Sequence, residues 1–184
     1  MPRHPTLQTA RLILRPFQLS DAADVQRLAG APEVASTTLN IPHPYKDGMA
    51  EEWIARHQEQ FDNGQMVHFA VTLKPQGTLI GAVGLEINAR HERAEMGYWI
   101  GVPYWGNGYC TEAARAVLRY GFEVLKLHRI FAFHIPRNPP SGRVMEKIGM
   151  KREGLLRGHV KKQDRFEDYV VYGLLREDFA FRGG

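Results

Sequence analysis

Residues Ala94 to Phe122 read AEMGYWIGVPYWGNGYCTEAARAVLRYGF, and the change of period inside them decides the architecture. AEMGYWIGV alternates as a strand, with Glu95, Gly97 and Trp99 on one face and Met96, Tyr98 and Ile100 on the other. A turn carrying Gly106 and Gly108 follows. From Thr111 the period becomes helical, with Ala114, Val117, Leu118, Phe122 and Leu125 on one stripe. A strand running through a glycine turn into an amphipathic helix lets main chain approach a ligand closely. It also aims the unpaired amides at the helix start into the same space, which makes a site for a phosphate or pyrophosphate.

Upstream, Val67, Phe69, Val71 and Leu73 alternate up to a turn at Lys74 to Gly77. TLIGAVGLEI then leads through NARHER into the decisive strand, so three strands form an antiparallel meander. ARLILRPF opens the chain as a strand ended by Pro16. Ser20 is placed to cap a helix with Val25, Leu28 and Ala29 inward and Gly30 at its end. A second helix runs from Met49 to a stop at Gly64, with Trp53, Ile54, His57 and Phe61 at helical spacing. Downstream, RIFAFHI (residues 129–135) reads as a buried strand and Ser141 as the cap of a short helix through Ile148. Two final strands lie in MKREGLLRGHVKK and DYVVYGLL. This order specifies an α+β fold: one mixed, mostly antiparallel sheet of about seven strands flanked by about four helices. No linker or repeat divides residues 1–184, which are read as a single domain.

Composition narrows the class. At 184 residues, 43% hydrophobic and 24% charged, the chain matches ordinary globular usage. Cys110 is the single cysteine, so no intramolecular disulfide and no thiolate zinc cage is expected, and the eight histidines show no HExxH spacing. MPRHPTLQTARL has no apolar run and 18 apolar residues never follow one another. A secretory signal and a membrane span are therefore not expected, and a reducing cytoplasm is the expected compartment. The formal charge is +4, from 24 Lys and Arg against 20 Asp and Glu, which suits a phosphorylated small molecule. Direct nucleic-acid binding is not expected, because aromatic-basic interleaving and any RNP-like run are missing. The glycine turn lacks both the GK[ST] of a P-loop and the third small residue of a dinucleotide fingerprint.

AEMGYWIGVPYWGNGYCTEA, RNPPSGRVMEKIGM and EGLLRGHVKKQDRFEDYVVYGLL together resemble the GCN5-related N-acetyltransferases (GNAT), in particular the RimJ/RimL-like branch, over nearly the whole chain. The resemblance implies a sheet splayed open between its fourth and fifth strands, with acetyl-CoA wedged into the split as cosubstrate and no metal. It implies pantetheine on the backbone of Ile100, Gly101 and Val102, and pyrophosphate on the amides of Gly106, Asn107, Gly108, Tyr109, Cys110 and Thr111. Asn138 and Ser141 match the family's Asn-x-x-Ser. There the Asn touches the cofactor and the serine is a candidate to present its hydroxyl to the departing thiolate, with water as the alternative. Many members use a Tyr four residues after that serine, where this chain has Met145. Arg143 is nearest the expected adenosine phosphates, and Lys147, one turn on, reads as a solvated face. Cys110 reads as a packing residue.

Acetyl transfer to an amine is a proton problem, because an ammonium cannot attack a thioester until it loses a proton. The acceptor should be a carboxylate of raised proton affinity. Glu95, an acid inside an otherwise apolar strand, is the leading candidate, set against a structural ion pair with Arg93 or a neighbouring strand; Glu86 and His134 are lesser candidates. A backbone amide between Ile100 and Val102 is placed to meet the oxyanion, a contribution of roughly 3 to 4 kcal/mol. The acceptor pocket is expected between Pro42, Pro44 and Tyr45, the helix with Trp53 and His57, and the hairpin at Arg165 to Asp168, where Asp168 has the alternative role of fixing the hairpin. The acceptor reads as a protein or peptide α-amino group. A small-molecule amine (amino acid, polyamine, antibiotic) and a non-catalytic acyl-CoA or peptide-binding module are the alternatives. A monomer and a homodimer both fit.

Overall fold

The computed structural model describes residues 4–180; the first three residues of the opening MPRHPTLQTARL lie outside that range. Eight strands form one sheet in the order β1-β2-β3-β4-β5-β6-β8-β7. They are β1 (Leu7–Gln8), β2 (Leu12–Arg15), β3 (Met66–Leu73), β4 (Leu79–Asn88), β5 (Arg93–Ile100), β6 (Arg129–His134), β7 (Lys151–Lys162) and β8 (Arg165–Leu175). The strand beyond the expected seven is β1, two residues pairing antiparallel with Leu14 and Ile13. The meander β3-β4-β5 stands as read from the alternation. The single parallel pair among the described residues, β5 with β6, is in register only at Arg93, Ala94 and Glu95 against Arg129, Ile130 and Phe131. Beyond Glu95 the strands diverge, so the split lies where the resemblance placed it.

Helices cover both faces. On one, α5 (Tyr109–Arg119) buries Ala113, Ala114, Val117 and Leu118 against Phe69, Leu85, Met96 and Ile100, and α6 (Pro139–Lys147) adds Met145 to the same core. On the other, α1 (Ala22–Ala29) and α3 (Met49–Ala55) pack Val25, Ala29 and Ile54 against Ala70 and Leu79, with Trp53 and Trp99 at the margin. Removal of this apolar surface from water, at about 25 cal/mol per Å², is the main force closing both layers. Short helices α2 (Pro32–Ala35), α4 (His57–Asp62) and α7 (Arg176–Ala180) complete the chain, so there are more helical segments than the four expected.

Three local assignments are corrected. Ser20 does not cap α1. The Asp21 carboxylate does the local work, accepting from the Gln18 amide at 2.8 Å and holding Arg15 in a two-pronged pair at 2.7 and 2.8 Å. The helix over 49–64 breaks at Arg56 into α3 and α4, although its apolar period runs on, and Gly64 then turns the chain at φ +66°. Ser141 does not cap α6 either. Asn138 is the cap residue, Pro139 and Pro140 fill the first turn, and Ser141 is the third helical residue.

The break at Arg56 buries an unusual group. The His57 ring is 7% exposed, stacks on His68 at 4.2 Å, and has no hydrogen-bond partner for either nitrogen among the described residues. Burial, then the nearby His68, His4 and Arg56 charges, push His57 down to about 3. Burial and His4 push His68 down to about 4. Both groups bind protons more readily unfolded, from about pH 6.5, so their neutral burial supports folding fully above that pH and progressively less as pH falls towards 4 and below. His57→Phe keeps a ring for the stack and removes two orphaned nitrogens, whose burial costs about 1 to 3 kcal/mol. A higher melting temperature at pH 7 and a shallower loss of stability between pH 6.5 and 4 are expected; a lower melting temperature would show that the imidazole has an unseen partner.

Candidate functional site

One cleft of about 1300 Å³ runs through the split, bordered by β5, the start of α5, the start of α6, and the loop after α2. Its donor end is built by the glycine turn. Gly106 and Gly108 sit at φ +78° and +77°, the left-handed region in which a side chain strains the backbone. A Cβ on Gly106 would meet nothing within 4 Å, so there the residue is demanded by conformation and not by crowding. Helix α5 begins at Tyr109, two residues before the expected Thr111. Its first internal bond runs from the Glu112 amide to the Gly108 carbonyl at 3.1 Å. The amides of Tyr109, Cys110 and Thr111 are therefore the unpaired donors at the positive end of an 11-residue helix, and all three residues line the cleft.

Two residues that the sequence reading missed hold this turn. Arg11 donates from its amide and Nε to Glu112 at 2.9 and 2.7 Å and from Nη1 to the Asn107 carbonyl at 3.0 Å, with its guanidinium 4.6 Å above the Tyr109 ring. Trp105 donates from Nε1 to the Ile100 carbonyl at 2.6 Å. The Arg11 partners lie 96 to 101 positions away, which no local pattern marks, whereas the Trp105 bond spans five residues within the turn itself. Asn107 itself faces away from the cleft, bonding the Tyr104 and Trp105 carbonyls.

Along β5, the Gly101 amide donates to the Ile80 carbonyl at 2.8 Å and the Gly101 carbonyl accepts from Tyr104 at 2.9 Å. Gly101 is therefore withdrawn from the expected pantetheine contacts. Alternation of the antiparallel ladder then turns the main-chain groups of Met96, Tyr98 and Ile100 towards the split, while the Val102 amide opens a turn and has no partner within it. Asn138, Ser141 and Arg143 border the same cleft, as does Lys147. Met145 is 1% exposed in the core, out of reach of the split. Burial pushes the Cys110 thiol up to about 12, so the group stays protonated and packs instead of attacking.

At the root of the split Glu95 stands opposite Glu86 across β4 and β5 and beside Phe131 across β5 and β6. The expected alternative, an ion pair with Arg93, does not form: the Arg93 guanidinium lies 5.7 Å from the Phe131 ring, and Glu95 enters no ion pair among the described residues. Burial raises the proton affinity of Glu95 and the facing Glu86 raises it further. His134 borders the cleft but points its ring at α6, where a Cβ on Gly142 would come within 2.8 Å of Nε2.

The other end of the cleft is lined by Pro42, Tyr45 and Trp53, residues named for the acceptor pocket, together with Trp99, Phe133 and Tyr169. Neither Pro44 nor His57 lines the cleft: Pro44 is exposed to solvent, and His57 is buried behind Trp53. The Arg165 to Asp168 segment does not reach the cleft, and Asp168 instead accepts from the Gly158 amide at 2.7 Å, which fixes the hairpin. Lys162, at the end of β7, donates to the Ala35 carbonyl at 2.7 Å and to the Thr38 carbonyl, fastening the hairpin to the loop after α2.

Comparison with known proteins agrees with this arrangement. The acetyltransferase (GNAT) domain family matches residues 11–151. The uncharacterized N-acetyltransferase p20 of Bacillus licheniformis is 34% identical over 95% of this chain and 98% of its own. The [ribosomal protein uS5]-alanine N-acetyltransferase of Escherichia coli is 26% identical over 75% of this chain and 72% of its own. A GNAT-family acetyltransferase structure from Bacillus anthracis superimposes with a TM-score of 0.83 at 29% identity, covering 94% of this chain and 99% of that one. No helix among the described residues is long and apolar enough to cross a membrane. A sheet split at the end of β5, a cleft through it and a match over most of the length place the chain in the GNAT family, RimJ/RimL-like branch, as an acetyl-CoA-dependent N-acetyltransferase.

Proposed function

We propose that this chain, acting as a single domain, transfers the acetyl group of acetyl-CoA by direct attack to a protein or peptide α-amino group. The observation that carries this reading is the continuity of one cleft from the unpaired amides of α5, through the split, to Glu95 and the aromatic wall beyond. In it the pyrophosphate rests on the amides of Gly108 to Thr111, with Arg143 beside the nucleotide phosphates. Pantetheine lies along Tyr98, Ile100 and Val102 as an added strand. The thioester then hangs between β5 and β6, above Glu95.

Glu95 takes the ammonium proton, directly or through one water, and its raised proton affinity favours that task over an ordinary surface carboxylate. An amide of the Tyr98 to Val102 edge meets the oxyanion, and Ser141 faces the departing sulfur. Likeness to the uS5-alanine enzyme favours an α-amino acceptor. The carboxylates Glu33, Glu52, Glu86 and Glu95 along the same cleft favour a second reading, a small polyamine. Thiol release from acetyl-CoA decides between them: short peptides with free amino termini are expected to be the best acceptors in a panel with spermidine and amino acids. Turnover with spermidine alone selects the second reading, and silence across the panel leaves a binding module.

A further inference from the structure

Tyr98 is the group near the thioester that the mechanism above leaves unused. Its phenol O–H donates to the Ser141 main-chain carbonyl at 3.0 Å, and its oxygen lies 3.0 Å from Ser141 Oγ. Both residues border the split. Because Asn138 and the two prolines open α6, the Ser141 hydroxyl is not used as a cap, and its amide bonds only to the Asn138 carbonyl at 3.2 Å. Burial, with Cys110 alongside, keeps the phenol protonated against the opposing pull of its bond to Ser141.

We propose that Tyr98 is the positioning residue for Ser141, holding its Oγ at the wall of the split so that the Oγ–H can hydrogen-bond to the departing CoA sulfur. The proposal rests on the transferase reading above. In the step it serves, the amine nitrogen forms the new C–N bond and the C–S bond breaks with its electron pair on sulfur. The Ser141 hydroxyl turns from the phenol oxygen to that thiolate. Neither hydroxyl loses its proton; the ammonium proton is already on Glu95, and the second N–H proton, lost as the tetrahedral intermediate collapses, leaves through water and ends on the thiolate sulfur or in solvent.

The test is a cycle of Tyr98→Phe, Ser141→Ala and the double variant, read as kcat and as KM for acetyl-CoA with one peptide acceptor. Each single variant is expected to lower kcat by about tenfold, as for loss of one hydrogen bond to a developing charge, with KM within twofold. The double variant should be no slower than Ser141→Ala, because the phenol acts only through the serine. A double variant a further tenfold below Ser141→Ala, or Tyr98→Phe at full kcat while Ser141→Ala is slow, overturns the proposal and leaves the transferase reading intact. Absence of turnover by the unaltered protein overturns both. Ser141→Thr keeps a hydroxyl and supplies a second readout: it should retain more kcat than Ser141→Ala with Tyr98 present and no more than it with Tyr98→Phe.

Discussion

Gly108→Glu is expected to weaken CoA binding by roughly a hundredfold or more, the equivalent of about 3 kcal/mol, in a calorimetric titration. Two effects act together. The backbone at φ +77° disfavours any side chain by roughly 1 to 2 kcal/mol, and the new carboxylate stands where the amides of α5 gather negative charge. Arg11 Nη2 lies 3.6 Å from the position of a Cβ there, while Nε and Nη1 of the same guanidinium hold Glu112 and the Asn107 carbonyl, so pairing with the new carboxylate offsets only part of the conflict. Gly108→Ala separates the two effects, since it carries the strain without the charge and should lose far less affinity. Equal affinity for Gly108→Glu and the unaltered protein would remove the turn from the phosphate site.

Glu95→Gln is expected to lower kcat by about a hundredfold or more, within the usual range for removal of a general base, while CoA affinity stays unchanged. The pH dependence is the sharper measurement. Glu95 works as its carboxylate, and burial plus Glu86 raise its folded proton affinity, so activity falls as pH drops through that raised value. Glu95→Gln abolishes this acid limb. Glu86→Gln, which removes the facing charge and leaves the carboxylate in place, moves the limb to lower pH. A profile in Glu95→Gln that keeps its acid limb would assign the proton to another acceptor.

β3 and β5 were legible by their alternation and β4 as a continuous apolar run buried on both faces, so the meander and its turns follow from Val67 to Val102 alone. The glycine turn and α5 were legible to within two residues, the error arising because a left-handed Gly108 starts the helix where no polar cap stands. At α6 the signal was present and misweighted, since paired prolines mark a first turn more firmly than the serine behind them marks a cap. Arg56 carries neither proline nor glycine, so the break between α3 and α4 has no local sign. Tyr98 was placed on the correct face of β5, yet its partnership with Ser141 across 43 positions is a property of the sheet's split and not of any stretch of chain. The same holds for the Lys162 fastening and for Arg11.

The seam of only three residue pairs between β5 and β6 has a mechanical meaning. It makes the sheet two leaves sharing one short edge, each leaf with its own neighbours and its own rigidity. A nucleotide thioester bound there as proposed is a rail as well as a reactant, since it adds main-chain ties along a length where the two leaves are otherwise joined by the Tyr98–Ser141 bonds and the core they share. Folding free energy therefore rises with occupancy, by about 2.7 kcal/mol at a hundred times the dissociation constant.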